Sequence, residues 1–121
     1  MNNASGPAGE DFAAEYMKAQ GYEILRRNYH SRFGEIDIIA RSSRYLVFTE
    51  VKTRESGSLV NPLEAVTPAK QKKIVRTALC YLQAFPADLQ PRFDVAAVLT
   101  ERGKPVSVSY LPDAFSCGGF F

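Results

Sequence analysis

Hydrophobic and polar positions alternate along the chain with two different periods. Apolar residues at helical spacing predict a helix over residues 10–20, ended by Gly21, and a longer helix from residue 68 to about residue 85, capped by Thr67. Runs rich in β-branched and aromatic residues predict strands over residues 22–28, 35–41, 44–53, 92–100 and 105–111. This order predicts an α/β layer fold with a mixed central sheet flanked by helices. The helix between the third and fourth strands allows them to pair in parallel through a right-handed crossover.

The segments between these elements are polar or contain turn-forming residues. Residues 1–8 are expected to form a disordered tail, and residues 29–33 a loop that holds His30, the only histidine. Residues 55–67 contain Gly, Ser and Pro without a clear period, which predicts a loop. Neither a linker nor an internal repeat divides the sequence, so its 121 residues predict a single domain over residues 1–121.

Charged residues interrupt the apolar hairpin that is predicted over residues 34–54. If residues 42–43 form a two-residue loop, Asp37 lies opposite Phe48 and Glu35 lies opposite Glu50. Because side chains alternate between the faces of a strand, one face would then carry Glu35, Asp37, Glu50 and Lys52. Asp37 would be a diagonal neighbour of Glu50 at roughly 7–8 Å, which is close enough for two carboxylates to bind one cation.

Such a cluster of acids predicts a bound metal ion. Neighbouring carboxylates repel one another, and one of them normally takes up a proton unless a cation lies between them. Mg²⁺ and Mn²⁺ prefer carboxylate, carbonyl and water oxygens. Lys52 adds a mobile positive charge that can hold a nucleophilic water or a developing phosphate charge. The set is therefore typical of metal-assisted phosphodiester cleavage.

These residues carry a resemblance to known families. Asp37 followed by Glu50-Val51-Lys52 resembles the PD-(D/E)xK signature of nucleases with the restriction-endonuclease-like fold, although Ile36 stands where that superfamily often has proline. Over about residues 6–98 the chain resembles the YraN-type family of bacterial proteins, through G-E at 9–10, G-Y at 21–22, R-N at 27–28, GEIDIIA at 34–40, FTEVKTR at 48–54 and RFD at 92–94.

The YraN-type family is similar to archaeal Holliday-junction resolvases, in which a Glu early in the first helix completes the metal site. The resemblance implies Glu10 at this position, with Glu15 as second choice. It also implies that Mg²⁺ or Mn²⁺ is bound by Glu10, Asp37, Glu50 and the Val51 carbonyl. A structural interpretation of Glu10 stays open, since an acid in the first turn is stabilised by the helix dipole.

The second predicted helix has an unusual charge distribution. Its first half carries only positive charge, and no acid follows before residue 85, so ion pairs along the helix cannot explain the run. Positive charge near a helix N-terminus is also unfavourable, and a phosphate would relieve both problems. We expect nucleic-acid contacts from Lys70, Gln71, Lys72, Lys73 and Arg76.

Bulk properties exclude several classes of protein. The formal net charge is only +2, and the two cysteines, Cys80 and Cys117, form no CxxC motif, so neither a disulfide framework nor a zinc site is predicted. No apolar run is long enough to span a bilayer, and we expect no membrane partner and a reducing, cytoplasmic setting. Asp94 is expected to form a structural ion pair with Arg92 or another basic residue in preference to binding a metal.

Three functional interpretations follow from these patterns. The first is a metal-dependent endonuclease that cleaves DNA, including branched or structured DNA, with Glu10, Asp37, Glu50 and Lys52 as catalytic residues. Analogy with resolvases, which cut two symmetry-related strands, allows a homodimer. The second is a non-catalytic nucleic-acid-binding module on the same fold. The third treats the charges as ion pairs on a solvated sheet face, which fits poorly with four charges on one face of an apolar hairpin.

Overall fold

The computed structural model describes residues 7–57 and 61–117 of the chain. Within these residues, two α-helices and five strands follow one another as α1 (Pro7–Ala19), β1 (Glu23–Ser31), β2 (Gly34–Arg41), β3 (Tyr45–Glu55), α2 (Pro68–Ala84), β4 (Gln90–Glu101) and β5 (Lys104–Phe115). A short 3-10 helix, Pro62–Ala65, precedes α2. Thr67 caps α2 as the sequence predicts, since its side chain accepts a hydrogen bond from the Lys70 N–H at 3.3 Å.

The described strands form one mixed sheet in the order β1-β2-β3-β4-β5. β3 and β4 run parallel, whereas the other neighbouring pairs are antiparallel. α2 connects the two parallel strands, as expected for a crossover connection. The prediction of an α/β fold with a mixed central sheet is confirmed, and this architecture agrees with the restriction-endonuclease-like class.

Buried side chains of the described residues form two clusters, one associated with each helix. Because neighbouring residues of a strand face opposite sides, Phe48 of β3 packs with α2 and Val51 packs with α1. Phe48 also stacks on Phe93 of β4, with ring centroids 5.5 Å apart. Burying one such side chain contributes about 1.5–3 kcal/mol. The two clusters therefore hold β3 firmly in the middle of the sheet, and with it the charged residues at positions 50 and 52.

β1 is longer than the sequence predicts. Residues 29–31 pair with β2, so the prediction of a loop over residues 29–33 is wrong for this part. The physical reason is packing, because the ring of Tyr29 lies edge-on against Tyr81 of α2, with centroids 5.2 Å apart. The turn between β1 and β2 is reduced to residues 32–33.

Two other predicted segments also contain more regular structure than expected. α1 begins at Pro7, a favoured first residue of a helix, so the predicted tail is wrong for residues 7–8, while residues 1–6 lie outside the described residues. In the loop predicted over residues 55–67, the 3-10 helix Pro62–Ala65 is present, and residues 58–60 lie outside the described residues.

The pairing of β2 with β3 differs from the predicted register by two residues. Phe48 lies opposite Ile39 and not opposite Asp37, because the two-residue turn lies one residue later, at residues 43–44. Ser42 stabilises this turn, as its N–H donates to the Tyr45 carbonyl at 2.9 Å and its hydroxyl accepts from the Tyr45 N–H at 3.1 Å. A shift of two residues keeps every side chain on the predicted face.

Candidate functional site

The observed register brings two carboxyl groups together. When this register is continued by one residue beyond the Ile38–Thr49 pair, Asp37 lies directly across from Glu50. The two residues are then closer to each other than in the diagonal arrangement that the sequence predicts. Asp37 is only 2% exposed, and its Oδ2 accepts a hydrogen bond from the Val51 N–H at 2.7 Å. The Asp37 carboxyl group therefore takes over a β3 backbone donor at the point where the ladder between β2 and β3 ends.

The environment of Asp37 favours its protonated form. Burial first, and then the charge of Glu50, raise the pKa of Asp37 to about 8, although the hydrogen bond from Val51 acts in the opposite direction. The close approach of Glu50 therefore adds to burial in favouring a proton on Asp37. Without a cation beside it, Asp37 is thus favoured in its protonated form near neutral pH.

Two lysines from different elements complete this cluster. Lys52 of β3 has a side chain that is 10% exposed, and its Nζ lies 3.2 Å from Oε2 of Glu50. Lys70 of α2 lies near Lys52, and the positive charge of Lys52 is the main cause that lowers the pKa of Lys70. Two carboxyl groups and two ammonium groups therefore lie close together.

Asp37, Glu50 and Lys70 line an open pocket of about 280 Å³, and Lys52 lies behind Glu50 outside this lining. Its acidic side comes from β2 and β3, and its basic side comes from the first turns of α2. The residues that line it are Gly34, Glu35, Asp37, Glu50, Lys70, Lys73 and Ile74. Glu35 is half exposed and lies 3.5 Å from Nδ1 of His30, so it contributes charge at the rim. The arrangement can bind a cation on one side and an anion on the other.

Glu10 lies near this pocket and belongs to the same electrostatic group. Its side chain is 9% exposed, lies 3.7 Å from Nη2 of Arg27 and hydrogen-bonds to the side chain of Asn28. Burial raises the pKa of Glu10, and its negative charge contributes to the raised pKa of Asp37. Glu15, the second choice, is exposed and pairs with Lys18 at 3.1 Å.

Most of the chain, including this pocket, matches known proteins. Residues 9–98 match the model of a family described as "Uncharacterised protein family UPF0102". The chain belongs to this family. A UPF0102 protein of Syntrophotalea carbinolica is 49% identical over 116 residues, which cover 95% of this chain and 94% of the relative. Others come from Prosthecochloris aestuarii, with 47% identity and 91% of both chains covered, and from Syntrophomonas wolfei, with 40% identity over 95% of this chain and 100% of the relative.

This family membership agrees with the bacterial family that the sequence motifs indicate. The matched UPF0102 region contains the whole pocket together with Glu10 and Lys52. The motifs at residues 9–10 and 27–28 also lie next to each other in the structure, since Arg27 and Asn28 contact Glu10. Gly9 lets α1 approach β3, because a Cβ at this position would lie 2.6 Å from Oγ1 of Thr53. Sequence reasoning named these residues only as motif matches, without their role in placing Glu10.

The residues predicted on α2 fall into different environments. Lys70 and Lys73 line the pocket, whereas Lys72 is exposed. Gln71 donates its side-chain N–H to the Val66 carbonyl at 3.0 Å, so it stabilises the start of the helix. Arg76 lies over the ring of Phe33 at 5.5 Å. Lys70 and Lys73 thus lie at the pocket, whereas Lys72 and Arg76 lie elsewhere on the helix surface.

The carboxyl groups at the pocket provide some of the oxygen ligands that a metal ion requires. Among the described residues, no three His, Cys, Asp or Glu side chains already form a group that could hold a metal ion. Two adjacent carboxyl groups nevertheless fit a hard divalent cation, which would replace the proton that is favoured on Asp37. Glu10 acts on Asp37 through its charge, and Val51 is buried with its N–H bonded to Asp37.

Two further predictions concern the rest of the described chain. Asp94 is fully buried and accepts hydrogen bonds from Nε and Nη2 of Arg92 at 3.0 Å and 2.8 Å, so the predicted structural ion pair is confirmed. None of the described helices combines the length and the apolar character that a membrane crossing requires.

Proposed function

We propose that this UPF0102 protein is a metal-dependent endonuclease that hydrolyses DNA phosphodiester bonds. The observation that carries the proposal is that Asp37, Glu50 and Lys70 line one pocket while the Lys52 ammonium group lies 3.2 Å from Glu50. A divalent cation suits the two carboxyl groups and a phosphate suits the two lysines. The proposal includes a cytoplasmic location, which agrees with a DNA substrate.

Asp37 and Glu50 would hold the cation, with Glu10 and the Val51 carbonyl as the further oxygen donors that the resemblance implies. A bound Mg²⁺ or Mn²⁺ would lower the pKa of a water molecule and stabilise the negative charge that develops on the phosphate. The chain itself positions these donors. β2 and β3 fix the two carboxyl groups through the sheet, and the Val51 N–H orients Asp37.

Lys52 has the role of orienting the attacking water and the phosphate. Its ammonium group lies 3.2 Å from Glu50, close enough to exchange that partner for an oxygen of the substrate. Lys70 beside it would bind a non-bridging phosphate oxygen, which relieves the repulsion between the two lysines. Both groups are supplied by rigid elements, so the site needs little rearrangement when DNA binds.

The exposed face of α2 supports DNA as the substrate. α2 contains no acidic residue, and Lys72, Lys73 and Arg76 extend the positive charge beyond the pocket. Positive side chains along a helix bind phosphates without sequence preference. This agrees with an enzyme that recognises the shape of branched or structured DNA.

A calorimetric Mn²⁺ titration, followed by a cleavage screen, tests the proposal. Wild type should bind Mn²⁺ and cleave at least one of duplex, flap, single-stranded and four-way DNA. Glu50→Gln should lose both properties, and Lys52→Met should lose cleavage while it keeps Mn²⁺ binding. Glu101→Gln, an exposed change at the far end of β4, is the matched control and should behave as wild type.

Two results would reject the nuclease assignment. One is a Glu50→Gln protein that cleaves as fast as wild type. The other is salt-dependent DNA binding without cleavage by wild type on every substrate and with both metals, which would leave a non-catalytic nucleic-acid-binding module.

A further inference from the structure

Besides Arg92, which also pairs with Asp94, three arginine side chains outside the pocket lie over aromatic rings. The guanidinium carbon of Arg26 lies 5.2 Å from the ring centroids of both Tyr29 and Phe85. Those of Arg32 and Arg76 lie 4.9 Å and 5.5 Å from the ring of Phe33. Stacking of this kind holds the planar guanidinium group in a fixed orientation. We call these residues the stacked-arginine strip: Arg26, Arg32, Arg76, Tyr29, Phe33 and Phe85.

The charges of the strip are not neutralised within the described residues. Arg26, Arg32 and Arg76 are all exposed, and none of the ion pairs between described residues includes them. Arg27 and Arg92, in contrast, are paired with carboxylates. Phe85 is 44% exposed although it is a large apolar side chain. Oriented, unpaired guanidinium groups beside an exposed ring are typical of a binding surface.

The strip begins next to the pocket and continues along α2. Phe33 precedes Gly34, which lines the pocket, and Arg76 lies one helical turn after Lys73. Phe85 caps α2 twelve residues beyond Lys73, which corresponds to about 18 Å at the ~1.5 Å rise per residue of a helix. At about 3.4 Å per nucleotide of a stacked strand, this length accommodates roughly five nucleotides.

We propose that the stacked-arginine strip binds a single-stranded segment of nucleic acid that leads into the pocket. The inference rests on the proposed function for the class of ligand, and it specifies that the substrate carries unpaired bases beside the cleaved phosphate. Guanidinium planes and aromatic rings stack on bases only when the face of a base is free. In a continuous duplex both faces are covered by neighbouring base pairs, so the strip would meet only phosphates.

A charge-preserving substitution separates stacking from simple attraction. Lysine keeps the positive charge of arginine but lacks its planar group. Arg32→Lys combined with Arg76→Lys, and Arg26→Lys separately, should therefore weaken single-strand binding without changing the number of phosphates neutralised. Arg102→Lys, in the turn between β4 and β5, is the matched control, and Lys72→Gln removes one charge without any stacking group.

The measurement is fluorescence anisotropy of labelled oligothymidine and of a duplex of equal length, in EDTA and over a range of salt concentrations. We expect wild type to prefer the single strand, and the double variant to bind it about tenfold more weakly, as for the loss of one stacked base. The salt slope and the affinity for the duplex should not change in the double variant. Lys72→Gln should reduce the salt slope for the single strand by about 0.7.

The proposal is overturned if wild type binds the duplex as well as the single strand, or if the arginine-to-lysine variants bind oligothymidine as wild type does. Equal losses on single strand and duplex would also overturn it. So would binding of an acidic peptide that competes fully with oligothymidine and is insensitive to the lysine substitutions, because such a ligand requires charge alone. EDTA prevents metal-dependent cleavage, so this binding experiment is independent of the cleavage screen. Single-strand binding by the strip can therefore be found when no cleavage is found, and cleavage can be found when the strip does not bind single strands.

Discussion

Asp37→Asn should stabilise the metal-free protein while it removes the proposed metal binding. An asparagine has nearly the same shape as aspartic acid, and its side-chain oxygen can accept the hydrogen bond that the Val51 N–H now donates to Asp37. Its NH₂ group can donate to Glu50, as the protonated carboxyl group of Asp37 can. The variant therefore keeps the hydrogen bonds of the protonated site without needing to take up a proton.

The size of the effect follows from the raised pKa of Asp37. Burial and the charge of Glu50 raise it from an ordinary value of 3.8 to about 8. Between these two values the folded chain binds a proton that the unfolded chain releases, so the free energy of unfolding falls as the pH rises through this range. At about 1.36 kcal/mol per pKa unit, and roughly three units between 3.8 and pH 7, the upper limit is about 4 kcal/mol at pH 7. Imperfect hydrogen bonds of the amide reduce this, and we expect a gain of about 2–3 kcal/mol.

The assay is urea unfolding followed by circular dichroism, with EDTA, between pH 5 and pH 8. The difference in the free energy of unfolding between Asp37→Asn and wild type should increase with pH, and be smallest at pH 5. Saturating Mn²⁺ should stabilise wild type through mass action, by about 2.7 kcal/mol at a hundred times Kd, and leave the variant unchanged. Asp88→Asn, an exposed change in the loop before β4, serves as the control. An Asp37→Asn protein that is less stable than wild type at pH 8 would refute the account of a protonated Asp37.

Two other substitutions test how the fold supports the site. Asp94→Ala leaves Arg92 and the hydroxyl group of Tyr110 without their buried acceptor, so we expect a loss of about 3–5 kcal/mol in urea unfolding, whereas Asp88→Ala should change stability little. Gly9→Ala should destabilise the protein by about 1–3 kcal/mol, because the new Cβ would lie 2.6 Å from Oγ1 of Thr53, although alanine is the better helix former. Adding Thr53→Ala should restore most of that loss, and a stable Gly9→Ala single variant would contradict the close approach of α1 to β3.

The elements that carry the pocket could be predicted because they depend on local patterns. The period of two along β3 sets Glu50 and Lys52 on one side, and the structure shows them as an ion pair. The buried ion pair of Asp94 with Arg92 follows from a charge inside an apolar strand, since such a charge requires a partner. The cap at Thr67 and the start of α2 follow from the Thr-Pro sequence.

The remaining features depend on details of one turn or on contacts between distant parts of the chain. The register of β2 against β3 is set by turn hydrogen bonds of Ser42 to Tyr45, which no pattern of hydrophobic residues reveals. The length of β1 depends on Tyr29 meeting Tyr81 of α2. The strip could not be predicted because Phe33 meets Arg76 only after α2 has packed against the sheet. Turn hydrogen bonds therefore decide the register and long-range packing decides the neighbours of the site, while the period of the strands decides which face it uses.

The pocket and the neighbouring Lys52 contain two unfavourable arrangements that a metal ion and a phosphate together would relieve. Burial and the charge of Glu50 disfavour the charged form of Asp37, and the positive charge of Lys52 disfavours the charged form of Lys70. A divalent cation alone would remove the first problem, and a phosphate alone would remove the second. When both bind, the cation and the phosphate also attract each other across the pocket, so each should increase the affinity of the other. A nuclease of the proposed kind would thus bind its metal more tightly when nucleic acid is present, which helps to confine hydrolysis to bound DNA.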